Sequence, residues 1–257
     1  MSTDPAARPR ASVLTVTYNQ EKYIRQTIES VLDQQTSFPF ELVIGEDHST
    51  DATRQIVAEY AERYPGIIRP IFQERNVGAH RNFVQCLRAC RGRYVALLEG
   101  DDYWLSREKL ERQVSILDAR PEFAICASRA RVVYDDNNQE SYDYPMWDRV
   151  HFTIEDILRE NFIPTCTMVF RLGLLLEIPA WVPQLSFVDW ALHVLLAQHG
   201  DIILIPETLA AYRVHGHGIA SRQDQTEMAK NRRHFQEQLR IHLPEKYAGL
   251  IPEASEP

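Results

Sequence analysis

Short apolar runs rich in β-branched residues recur through the first 120 positions: SVLTVTY (12–18), FELVIG (40–45), IIRPIF (67–72) and YVALL (94–98). Runs of this length and composition predict interior strands. The segments between them change to helical spacing. Ile24, Ile28, Val31 and Leu32 share one face, Ile56, Val57 and Tyr60 a second, and Phe83, Leu87 and Cys90 a third. A fourth helix, with Leu110, Val114 and Leu117 inward, stops at Arg120–Pro121, because a proline pushes the residue before it out of helical geometry. Strand alternating with helix predicts an α/β fold, a mostly parallel sheet flanked by helices.

The second half is less regular. FAICAS (123–128) and DIILIP (201–206) predict strands, and FTIEDILRE (152–160) and DWALHVLLAQHG (189–200) predict helices, the latter ended by Gly200. VVYDDNNQESYDYPMWDRV (132–150) reads as an exposed loop or hairpin. From residue 223 the pattern is a charged amphipathic helix followed by a polar tail, PEASEP. The chain divides into a flexible lead (1–10), two halves of one domain (11–120 and 121–222), and a C-terminal helix and tail (223–257).

In open α/β sheets ligands bind beyond the carboxyl ends of the strands. Three polar clusters fall there: TYN (17–19), EDHSTD (46–51) and EGDD (99–102). Carboxylates crowded at a strand exit repel one another, so they either face water or hold something positive. Magnesium and manganese need oxygen ligands and are held by one or two carboxylates plus substrate phosphates. Asp101 with Glu99 or Asp102 meets that demand; a solvated turn capping the next helix is the alternative. In EDHSTD, capping of a helix beginning near Ala52 accounts for Ser49, Thr50 and Asp51. It leaves Glu46, Asp47 and His48, and an acceptor carboxylate there suits the N–H edge of a nucleobase. RNVGAHRN (75–82) adds Arg75, His80 and Arg81, cations that suit a phosphate or a base, around the turn residues Asn76 and Gly78. In HGHG (215–218), His215 and His217 point the same way if extended, yet no further nitrogen or sulfur ligands for zinc accompany them.

Composition narrows the partners. The 257 residues are 44% hydrophobic and 25% charged, with a formal net charge of -8, which argues against a broad grip on nucleic acid or anionic lipid. MSTDPAARPR lacks the apolar core of a signal peptide, and charges interrupt every stretch long enough to span a bilayer. The expectation is a cytoplasmic protein with no transmembrane segment and no nucleic-acid partner. Cys86, Cys90, Cys126 and Cys166 form no C-x-x-C pair and sit in apolar stretches, so they are expected to be reduced packing residues.

Taken in order and spacing, SVLTVTYNQEKYIRQTIESVLDQQ, ELVIGEDHSTDATRQI, NVG, GRYVALLEGDDYW and FVDWALHVLLAQHGDIILIPETLAAYRVHGHGIAS closely resemble family 2 glycosyltransferases of the GT-A fold over about residues 11 to 222. The resemblance implies a Rossmann-like sheet whose first half (11–120) binds a nucleotide-sugar and whose second half (121–222) binds the acceptor and carries the catalytic base. It implies a nucleotide-diphosphate donor (UDP-, dTDP- or GDP-sugar), Mn2+ or Mg2+, inversion at the anomeric carbon, and a hexosyltransferase-type enzyme. Thr17, Tyr18, Asn19, Glu46, Asp47, Arg75 and Gly100 would form the nucleotide site, with Tyr18 along the base and Asp47 on its polar edge. Asp101, in an Asp-x-Asp-like element with Glu99, would ligate the metal, which His215 would approach. Asp189 would deprotonate the acceptor hydroxyl, a role compatible with an N-cap position on its helix. Glu99 and Glu46 stand where aspartates are usual, His48 where a small residue is usual, and Val188 where a glutamate often precedes the base. The acceptor class (glycan, lipid-linked, natural product or peptide) is not written in these motifs, and an oligomer is compatible with them. A sugar nucleotidyltransferase is the competing enzyme, but it usually places a glycine-rich loop with a basic residue after the first strand, where this chain has TYNQEKY. A non-catalytic sugar-nucleotide module is the other alternative, and it is expected to lose Asp101 or Asp189.

Overall fold

A computed structural model describes residues 8–135, 139–175, 177–216 and 225–253; His217 and the last four residues of the tail lie outside them. The first half forms β1 (Ala11–Thr17), α1 (Ile24–Leu32), β2 (Phe40–Glu46), α2 (Thr53–Arg63), β3 (Ile68–Phe72), α3 (Ala79–Ala89), β4 (Tyr94–Leu97), β5 (Tyr103–Trp104) and α4 (Lys109–Ala119). The second half adds β6 (Phe123–Tyr134), β7 (Tyr142–Tyr144), β8 (His151–Phe152), α5 (Ile154–Arg159), β9 (Val169–Arg171), α6 (Val188–Ala197), β10 (Asp201–Val214) and α7 (Gln225–His242).

These strands make one sheet in the order β3-β2-β1-β4-β9-β6-β10-β5, with β7 on β6 and β8 on β10. The long pairings, β1 with β2 and β4, β2 with β3, and β6 with β10, are parallel. The antiparallel contacts of β5, β7, β8 and β9 each span only two or three residues. Side-chain alternation sorts the strands onto two cores. Val13, Leu42, Ile44 and Tyr94 pack with α1, α2 and α4, whereas Leu14, Val43, Val95 and Leu97 pack with α3, α5, α6 and α7. Each such aliphatic side chain, fully buried, contributes roughly 1.5–3 kcal/mol, so helices on both faces are what make these two-sided strands stable.

Three expectations change, and a fourth, the loop or hairpin after residue 132, is narrowed to one of its two forms. The lead is anchored from residue 8: Arg8 Nε donates to the Arg91 carbonyl (3.1 Å), and Arg10 pairs with Asp118 (2.5 Å). The polar stretch after residue 132 is a hairpin, since β6 continues to Tyr134 and β7 pairs back on it. Gly200 does not end α6, whose last residue is Ala197; a Cβ there would meet the Glu122 carbonyl at 2.6 Å, so the glycine admits a close chain approach. The acidic turn after β4 caps no helix, because β5 intervenes and α4 begins only at Lys109.

Lys109 is fully buried, its Nζ donating to Gln113 Oε1 (2.7 Å) and lying 4.3 Å from the centre of the Trp104 ring. Desolvation lowers its pKa from 10.5 to about 7. Above pH 7 the unfolded chain therefore binds more protons than the folded one, and this group makes stability rise with pH from about 7 towards 10.5. Below pH 7 it adds no slope. Burial moves the thiols of Cys86, Cys90 and Cys126 up to about 12, which gives the opposite slope above about pH 9. In urea unfolding between pH 7 and about 8.5, the parent protein is expected to gain stability relative to Lys109→Met; parallel pH profiles would exclude the buried ammonium as their source.

Candidate active site

The carboxyl ends of β1, β2 and β4 lie side by side, and backbone bonds draw their exits together. Asp47 N–H donates to the Thr17 carbonyl (3.0 Å), and Gly100 N–H to that of Val16 (3.0 Å). Thr17 Oγ1 donates to Gln20 Oε1 (2.8 Å), and a Cβ on Gly100 would lie 2.4 Å from that same Gln20 oxygen and 2.7 Å from the Thr17 side chain. Gly100 is thus required by the packing of the rim.

Asn19 (φ 52) and His48 (φ 59) both adopt the left-handed region. Asparagine and histidine are among the non-glycine residues most often found there, so each turn is accommodated by its own side chain. The two turns are tied together, Asn19 N–H to Ser49 Oγ (3.0 Å) and Thr50 N–H to Asn19 Oδ1 (2.8 Å). Ser49 and Thr50 therefore lock the β1 and β2 exits, and of the three expected caps only Asp51 serves α2, accepting from Thr53 N–H (2.9 Å). Glu46 is buried, accepting from Ser49 N–H (2.6 Å) and facing Arg54 (3.4 Å). Asp47, expected on the edge of a base, accepts from Val77 N–H (2.7 Å) and Gly78 N–H (2.9 Å) and is 2% exposed. In this structure it anchors the NVG loop, a role its charge fits because a carboxylate satisfies two neighbouring N–H groups at once. Tyr18 is 44% exposed at the rim, Arg75 is exposed on the loop that Asp47 holds, and His80 Nδ1 donates to the Pro183 carbonyl (2.9 Å).

Beyond β4, Glu99, Asp101 and Asp102 divide their tasks. Asp102 is buried and accepts from Arg213 N–H (2.8 Å), while Thr27 Oγ1 donates to the Gly100 (3.0 Å) and Asp102 (2.7 Å) carbonyls. Burial, reinforced by the charges of Asp101 and Glu99, moves the Asp102 carboxyl well above its ordinary range. It pins the turn to β10. Asp101 is more open: its Oδ2 meets His215 Nε2 (2.9 Å), and its carbonyl accepts from Arg213 Nε (2.8 Å). Glu99 has a buried Oε2 without a hydrogen-bond partner among the described residues, and burial, then the charge of Asp101, raises its pKa to about 8, with Asp189 adding to the rise. Asp101 and Asp189 are thus both within electrostatic reach of Glu99, although far apart along the chain.

Asp189 lies in the first turn of α6, after the Phe187 N-cap, and does not itself cap the helix. Asn161 Nδ2 donates to its Oδ2 (2.9 Å), leaving Oδ1 without a hydrogen-bond partner among the described residues. Asn161 Oδ1 in turn meets His193 Nδ1 (3.0 Å). Because the Asn161 amide nitrogen faces Asp189, its oxygen must accept from His193, which places the imidazole proton on Nδ1. Burial lowers His193 to about 4, so the ring is neutral at physiological pH, and its buried Nε2 has no partner among the described residues.

Asn161, His193, Thr27 and Arg213 received no role from sequence. A Tyr-Arg-x-His pattern flags Arg213 only loosely, and nothing local distinguishes Asn161 from any other loop asparagine. The structure brings Thr17, Asn19, Glu46, Asp47, Glu99, Gly100, Asp101, His215 and Asp189 to one side of the sheet. No cluster of three or more His, Cys, Asp or Glu residues has metal-holding geometry among the described residues. An oxygen pair of Glu99 and Asp101 nevertheless fits a hard cation, since one carboxylate oxygen there is buried and unpaired.

Known proteins with the same organisation extend the picture. An uncharacterised protein of Mycobacterium tuberculosis is 44% identical over 209 residues, 81% of this chain and 60% of that protein. The chain thus spans about 60% of the length of its mycobacterial relatives. A putative teichuronic acid biosynthesis glycosyltransferase of Bacillus subtilis, TuaG, is 41% identical over 114 residues, 44% of each chain. Among solved structures, TarS 1–349 of S. aureus in complex with UDP-GlcNAc has a TM-score of 0.69 at 22% identity, covering 93% of this chain and 69% of that one. The mannosyltransferase PcManGT of Pyrobaculum calidifontis, in complex with GDP-Man and Mn2+, has a TM-score of 0.70 at 20% identity, covering 97% and 70%. Both carry the GT-A arrangement seen here. The model of glycosyl transferase family 2 matches residues 12–174, more than half of the chain, and the protein belongs to that family.

Proposed function

We propose that this protein is an inverting glycosyltransferase that moves a sugar from a nucleotide-diphosphate donor to an acceptor hydroxyl. The observation that supports the reading is that Asp101 and Asp189 both lie within electrostatic reach of Glu99, with an oxygen of Glu99 and one of Asp189 without a hydrogen-bond partner among the described residues. Glu99 and Asp101 would hold Mn2+ or Mg2+, with His215 orienting Asp101. When bound, the ion supplies positive charge to the departing diphosphate.

The chain's own residues do the rest. Asp189 Oδ1 takes the acceptor proton while Asn161 steadies the other oxygen; a positioned base of this kind contributes roughly 10²- to 10⁴-fold. The exposed ring of Tyr18 offers a face to the nucleobase, and Arg75 a charge to the phosphates. Displacement by a hydroxyl from the side opposite the leaving group inverts the anomeric carbon. Free, buried cysteines fit a cytoplasmic setting. The donors bound by TarS and PcManGT make UDP- and GDP-sugars the first to try, with dTDP-sugars third.

A thermal-shift panel of these sugar nucleotides with and without MnCl2 tests the proposal. One nucleotide class is expected to raise Tm by about 5 °C or more at a hundredfold excess over Kd, with manganese required. No stabilisation by any of the three would overturn it.

A further inference from the structure

Helix α7 closes a cavity of ≈ 460 Å³ against the residues that end α5 and begin α6. Asn161 is part of its wall and also donates to Asp189, so the cavity opens beside the carboxylate taken above as the base. Phe187 and Trp190 supply an aromatic side, and Trp190 is fixed by its Nε1 bond to the Ile157 carbonyl (2.5 Å).

Two features of α7 point to what the cavity accepts. Gln236 lines it, is 3% exposed, and has a buried Oε1 with no hydrogen-bond partner among the described residues. A buried amide oxygen left this way keeps its desolvation cost uncompensated, and a hydroxyl-bearing ligand would remove it. Arg232 and Arg233 also line the cavity, and neither pairs with a carboxylate among the described residues. Arg232 is held by the Arg159 carbonyl (2.9 Å) and lies 5.6 Å from the Trp190 ring centre, so its guanidinium is already oriented. Glu160 is the one acid of the lining, leaving an excess of positive charge in a chain whose net charge is -8.

We propose that this cavity is the acceptor subsite and that it selects an acceptor sugar carrying an anionic group, a carboxylate or a phosphate. The inference rests on Asp189 acting as base. Gln236 accepts from a sugar hydroxyl, the aromatic side packs on the ring, and the Arg232–Arg233 pair binds the anion through charge-assisted hydrogen bonds.

The test is an NMR titration of the full chain at low ionic strength with methyl β-glucuronide, glucose 6-phosphate and methyl β-glucoside. At least one anionic probe is expected to bind about tenfold or more tightly than the glucoside, and the tighter of the two names the anion. Arg233→Gln, an exposed substitution, is expected to abolish most of that preference while leaving donor-induced thermal stabilisation unchanged, which shows that the variant is folded. Equal binding of the three probes, no binding of any, or a preference that survives both Arg233→Gln and Arg232→Gln would overturn the subsite. The titration needs no turnover, so an anion-selective cavity in a protein that transfers no sugar would refute the transferase reading alone. Efficient transfer to uncharged acceptors without anion preference would refute only the subsite.

Discussion

Asp189→Asn is expected to bind the sugar nucleotide with nearly the parent's affinity and to turn it over about two orders of magnitude more slowly, or worse. The substitution keeps size and shape, and the Asn161 Nδ2 donor still finds an amide oxygen, so α6 and the neutral His193 behind it need not move. What disappears is the lone pair that collects the acceptor proton. The residues proposed for the donor exclude Asp189, so Kd should stay while kcat falls, the pattern of a group that acts only as the transition state forms. Steady-state kinetics paired with donor titration would show it. A variant as fast as the parent would remove Asp189 from the chemistry.

Asp101→Ala is expected to abolish manganese-dependent donor binding. With Asp101 gone, Glu99 is the single carboxylate left facing the ion, and one carboxylate without its neighbour makes a poor site. Removing Asp101 also deprives His215 Nε2 of its acceptor, so two contributions to the rim vanish together. Calorimetric titration of the donor with and without MnCl2 reads the effect, and a manganese response equal to the parent's would exclude Asp101 as a ligand. Asp102→Ala should behave differently: its carboxyl bonds the Arg213 backbone, so that change weakens folding more than metal response.

The first-half framework was legible because its strands are buried on both faces, and uninterrupted apolar runs such as YVALL have no other stable use. The same reasoning located the polar strand exits. It could not see β9, whose three residues carry no periodicity, although they join β4 to β6 in the sheet. Nor could it see that β10 continues past Ile205, because register shifts around Thr208 and the exposed Glu207 break the alternation there. Within the site, carboxylates at strand ends stood out by charge. Asn161 and Arg213 did not, since their roles come from partners 28 and 111 residues distant. Asp47 carries a second role hidden for a related reason: only the folded chain reveals that the NVG backbone donates to both its oxygens.

Strand β10 sets a limit on how this chain can be cut apart. It starts beside β8, and its far end delivers the Arg213 and His215 contacts to the acidic turn. A fragment truncated where the family match stops, at residue 174, would retain Glu99, Asp101 and Asp102 yet lose the segment that restrains them. The acidic rim is not a transplantable cassette, and chimeras with other members of the family need their junction placed beyond residue 215.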